Sequence, residues 1–149
     1  MTDVLFYHLE HTTLDRVLPG LLEKSLERGW RAVVQASSDE RVEALNQHLW
    51  TYHEQSFLPH GTSQDGHPPE QPIFLTTSDI NPNNANIRFF VDGADKANIS
   101  EYTRVVYLFD GHNEEAIALA RQQWKTAKDA GHDATYWQQN AHGGWEKKA

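Results

Sequence analysis

The chain has no cysteine and a single methionine in 149 residues. No disulfide framework and no thiolate chemistry are open to it, which suits a reducing compartment. Basic charge is also short: Lys and Arg number 13 against 21 Asp and Glu, a formal net charge of -8. A protein whose main task is gripping phosphates is usually basic, so this balance argues against direct nucleic-acid binding as the principal role. No apolar run approaches the ~20 residues of a membrane span. The opening MTDVLFYHLE has neither the basic region nor the long apolar region of a secretory signal. The glycine-rich phosphate motifs G-x-G-x-x-G and G-x-x-x-x-G-K-[ST] are missing, and so is the G-x-S-x-G elbow. Without cysteine, zinc would need His and carboxylate ligands. The nine histidines are scattered, and the closest pair, His8 and His11, straddles a strand end and a helix start. No metal and no cofactor are expected. The expectation is a soluble, acidic, cytoplasmic chain forming one domain over residues 1–149.

What is present alternates strand and helix signals. Val4 to Leu9 is an apolar strand candidate, and Thr12 with Asp15 has the spacing of a helix capping box. Leu14, Val17, Leu18, Leu21, Leu22 and Leu26 then mark an amphipathic helix ending near Gly29. Pro19 falls inside that pattern. Either the helix kinks there or its regular part begins close by. Trp30 to Ala36 reads as a buried strand, Ser37 with Glu40 as a second capping box, and Val42, Leu45 and Leu49 as the apolar stripe of the next helix. Ser56 to Gly61 returns as an extended segment, completing a βαβ-type unit around which the chain is arranged. His60 to Pro72 reads as a loop, Ile73 to Thr76 as a strand, and Asn81 to Asn84 as a turn. Further strands are expected at Ile87–Asp92, Arg104–Phe109 and Thr135–Gln139. A long helix over Glu114–Ala130 should stop at Gly131. Residues 140–149 read as a flexible tail. The implied architecture is α/β: a single-domain, Rossmann-like, mostly parallel central sheet with helices on both faces.

Two constellations bear on function. Asp92-Gly93 and Asp110-Gly111 put carboxylates after strands, where α/β proteins bind ligands. They are also ordinary strand-to-turn junctions, and that is the better reading. On the last long helix, Arg121, Lys125 and Lys128 fall on one stripe by their i, i+4, i+7 spacing. Ala116, Ala120 and Ala127 define the buried face, with Ile117 and Trp124 between the two. Cations beside an aromatic edge match an acidic peptide that ends in an apolar residue. A solvated helix face with cations favoured near its C-terminus is the alternative. Trp50 and Phe57, at the edge of the central unit, are either core or part of a contact surface.

The segments RVLPGLLEKSLERGWRAVVQ, DERVEALNQHLWTYHEQSFLPHG, RVVYLFDG and ARQQWKTAKDAGHDATYWQQ resemble the chi subunit family of bacterial DNA polymerase III over nearly the whole chain. The most specific portion is LW followed by SF-x-PHG. The resemblance implies a Rossmann-like accessory protein of the clamp-loader assembly with no catalytic activity of its own. It also implies binding to the acidic C-terminal tail of single-stranded DNA-binding protein (SSB), which ends in Pro-Phe. By the same resemblance Arg121, Trp124, Lys125 and Lys128 fall on the tail-binding helix, Trp124 standing where the best-known relatives have tyrosine. Trp50 and Phe57 match the aromatic residues of the LW and SF segments. The expectation is that Trp124, Trp50 and Phe57 line the pocket for the tail's last aromatic. Further partners implied are clamp-loader subunits and, where present, the small subunit psi. Nucleic acid is reached only indirectly. The alternatives are a nucleotide- or nucleic-acid-processing α/β enzyme and a direct single-stranded DNA binder.

Overall fold

Alternation sets the central strands. Val4 and Phe6 point to one face of the sheet, Leu5 and Tyr7 to the other, and each set joins its own apolar cluster. In the computed structural model, which describes residues 2–51, 59–64, 68–96, 98–142 and 144–148, the elements run as follows. Strand β1 is Asp3–Leu9, helix α1 Leu14–Glu27, β2 Ala32–Gln35, α2 Asp39–Thr51 and β3 His60–Thr62. A 3-10 turn at Pro68–Glu70 leads to β4, Ile73–Thr76, and β5, Ile87–Phe90. Then come β6 at Arg104–Asp110, α3 at Glu114–Asp129, β7 at Asp133–Gln139 and β8 at Trp145–Lys147. The sheet order is β3-β4-β2-β5-β6-β1-β7-β8. Every neighbouring pair is parallel except β7 with β8. This is the expected α/β architecture. The tail expected to be flexible contains β8, and the expected loop from His60 opens with β3.

Helices α1 and α2 cover one face, where Leu18, Leu22, Leu45 and Leu49 pack on Val34, Leu75, Phe89 and Val106. On the other face α3 lies over β6, β1 and β7, burying Ala120 and Ala127 against Val4, Phe6 and Val105. The connections around β5 supply the rest of that layer through Ala85, Ala94, Ile99 and Tyr102. Sheet strands buried on both faces explain the near-continuous apolar runs IFLT and RVVYLF.

The helix starts differ from the expected capping boxes. Ser38, not Ser37, caps α2, its Oγ accepting from the Arg41 N–H. Thr13 stands at the N-cap of α1 with no side-chain cap bond. The N–H groups of Glu10, His11 and Thr12 donate instead to the Oε1 of Gln139, whose Nε2 donates to Thr12 Oγ1. A carboxamide from β7 thus organises the turn after β1. The end of α3 follows its expected signal, since Gly131 has a φ of 87°.

Candidate functional site

Helix α3 starts at Asn113, whose side chain accepts from the N–H groups of Glu115 and Ala116. Its buried side carries Ala120, Gln123 and Ala127. The remaining faces show Arg121, Lys125 and Lys128 to solvent, with Trp124 half-buried between them and the sheet. Lys128 Nζ lies 4.9 Å from the centre of the Trp124 ring, a cation–π contact. Among the described residues, none of these three cations is in an ion pair.

Beneath the stripe opens a cavity of about 260 Å³, lined by Arg121, Trp124, His8, Tyr136 and Gln138. His8 Nδ1 and the Tyr136 hydroxyl are 2.8 Å apart and hydrogen-bonded. The rings of Phe109 and Tyr136 stand 5.3 and 6.0 Å from that of His8. Burial pushes the Tyr136 phenol up, and the neighbouring Arg121 guanidinium pulls it back in part. The Trp124 indole N–H is buried with no acceptor among the described residues. Gly111 is needed here: a Cβ would stand 2.1 Å from the His8 ring. A recess walled by the rings of Trp124, Tyr136 and His8 and carrying the Arg121 guanidinium can hold a ring and the carboxylate attached to it.

Sequence reading weighs His8 only as a metal ligand and passes over Tyr136 and Gln138, because the three come from β1 and β7 and meet only in the fold. Period-two alternation was the available signal, as it puts Tyr136 and Gln138 on the side of β7 that Ala134 buries against α3.

Trp50 is not part of this recess. It sits on α2, which packs near β3 and β4, while α3 packs on the opposite face near β7 and β6. The expected joint pocket of Trp124 and Trp50 is therefore corrected: nearly the full width of the sheet separates them. Trp50 is 49% exposed, and its ring lies 4.3 Å from that of His60. Phe57 lies outside the described residues.

A larger crevice, about 780 Å³, opens beyond the carboxyl ends of β1 and β6. These adjacent strands send their helices to opposite faces, the usual ligand position in an α/β sheet. Its lining includes Glu10, Asp92, Asp110 and Glu115. Arg41, in the same lining, donates to Asp92 Oδ2 at 2.7 Å and to Asp15 Oδ1 at 3.1 Å. Such a wall repels phosphates. Asp92 and Asp110 serve their turns: Asp92 has a φ of 55° before Gly93, and Asp110 accepts from the His112 N–H. Among the described residues, no group of three or more His, Asp or Glu is placed to hold a metal ion, and no helix is long and apolar enough to cross a membrane.

Comparison with known proteins agrees with this architecture. A family model described as DNA polymerase III chi subunit, HolC, matches residues 1–135. A curated relative, the probable DNA polymerase III subunit chi of Rickettsia prowazekii, is 30% identical over 109 residues. That alignment covers 73% of this chain and 66% of the relative, a little under two thirds of its length. With the family match running from β1 through the whole of α3, the chain belongs to the DNA polymerase III chi subunit family.

Proposed function

We propose that this chain is a non-catalytic adaptor that ties the clamp loader of the replicative polymerase to the acidic C-terminal tail of SSB. One observation carries the reading. An acidic protein exposes the cations Arg121, Lys125 and Lys128 on one helix, without ion-pair partners among the described residues, and Arg121 of that stripe lines an aromatic recess with Trp124. The tail's carboxylates meet the stripe, and its last aromatic enters the recess between Trp124, His8 and Tyr136. Arg121 holds the terminal carboxylate at the rim. Trp50, on the other face, is left for a different subunit of the same assembly.

The test is a titration of the full chain with a labelled SSB tail peptide. Lys125→Glu should cost about 2 kcal/mol or more of binding, some thirtyfold, by removing a charge-assisted contact and adding repulsion. Lys125 is exposed and Glu forms helix well, so the melting curve should shift by less than about 0.5 kcal/mol of stability. Rising salt should weaken wild-type binding without abolishing it, since ion pairs are screened and ring burial is not. A normally folded Lys125→Glu variant with wild-type affinity would place the site elsewhere.

A further inference from the structure

A second group of cations and rings lies on the face that carries α1, away from α3. Lys24 on the last turn of α1, Arg28 at its C-cap and Arg104 at the start of β6 line a cleft of about 170 Å³ with Tyr7 and Trp30. The guanidinium carbons of Arg28 and Arg104 lie 5.2 and 5.4 Å from the centre of the Trp30 ring. Among the described residues, Lys24, Arg28 and Arg104 make no ion pair. Arg104 Nε is buried with no hydrogen-bond partner among the described residues. Among the described residues, no carboxylate lines the cleft. Three cations lining one cleft, with no ion pair among the described residues, suit an anionic oxygen.

The aromatic surface continues across the sheet. Trp145 of β8 packs on Tyr7 at 4.7 Å between ring centres. Trp137 is the register partner of Tyr7 and of Lys147, so all three share this side. Trp30, Tyr7, Trp137 and Trp145 are each partly exposed. Trp137, Trp145 and Lys147 also lie beyond residue 135, where the family match ends.

We propose that this face is an ancillary grip for single-stranded nucleic acid, with phosphates at Lys24, Arg28 and Arg104 and bases against the tryptophan and tyrosine rings. Cations interleaved with half-exposed rings match a strand that alternates phosphate and base. An acidic peptide with one terminal aromatic would use the cations and a single ring, leaving most of the row Trp30, Tyr7, Trp137 and Trp145 unmatched. The chain's charge of -8 keeps the grip weak, so it acts on a strand already brought near.

The experiment is fluorescence anisotropy of a labelled oligothymidylate titrated with the full chain over a range of low salt concentrations. Three phosphate contacts predict a slope of about -2 in log affinity against log salt. Lys24→Glu combined with Arg28→Glu, both exposed helix-end positions, should lose about tenfold or more in affinity and flatten that slope. Arg121→Glu combined with Lys125→Glu should leave oligonucleotide binding unchanged while removing tail-peptide binding, which separates the two surfaces. The proposal is overturned by no binding at the lowest salt, by retained binding in a normally melting Lys24/Arg28 variant, or by loss in the Arg121/Lys125 variant. It is also overturned if polyglutamate of equal charge binds the cleft as tightly as the oligonucleotide.

Discussion

Arg88 is fully buried, and among the described residues no carboxylate pairs with it. It donates to the carbonyls of Ile80 and Ser78, to the Tyr102 hydroxyl and to the carboxamide of Gln35. Neutral acceptors therefore solvate the charge and pin the segments after β4 and before β6 to the sheet. Nothing in IRFF marks that arginine as core, because a charge in a strand reads as solvent-facing until a distant connection folds over it. Its partner Tyr102 has a phenol pushed up to about 12, chiefly by burial, against an opposing pull from Arg88. The unfolded phenol ionises near 10. Stability from this group is thus whole below about pH 10 and is lost as pH climbs toward 12, because the unfolded chain releases its proton first. Burial and Asp95 push Tyr107 up as well, with the same sign. Urea midpoints across this alkaline window should decline in the wild type and decline less steeply in Tyr102→Phe. Equal slopes would mean that Tyr102 ionises as it does in the unfolded chain.

Among the elements, α1 settles what Pro19 does. The helix begins at Leu14 and runs through the proline to Glu27. Pro19 has no N–H for the carbonyl of Asp15 four residues back. The Nε2 of His48 on α2 takes that carbonyl, donating at 2.5 Å. One helix thus repairs another's missing bond, which fixes the two side by side. His48→Ala should cost about 1 kcal/mol. In a Pro19→Ala background, where residue 19 regains its N–H, the same change should cost clearly less. A double-mutant cycle by chemical denaturation measures the difference, and additivity would show that the contact carries no such role. The stripe Val42, Leu45, Leu49 was legible from spacing because helical period depends only on local sequence. The order of the turn before α1 was not, because Gln139 reaches it from more than a hundred residues away. The cationic stripe was legible for the same reason as the apolar one. The recess beneath it required β1 and β7 to meet.

At the scale of the molecule, the sheet separates surfaces that sequence motifs had joined. Trp50 and Trp124 occupy opposite faces near opposite edges. Trp50→Ala should leave tail-peptide affinity within about twofold of wild type, and a loss comparable to that of Lys125→Glu would reunite the two tryptophans in one site. The order of strands also carries a consequence for synthesis. Strand β1 lies between β6 and β7, with Asp3 opposite Arg104 and Asp133. As the chain leaves the ribosome, β2, β4 and β5 can pair while β1 still waits for either neighbour. Val4 and Phe6, wholly buried at the end, remain uncovered through most of translation. The earliest of the described strands is among the last to be seated, and that interval is when the nascent chain most needs a chaperone's shelter.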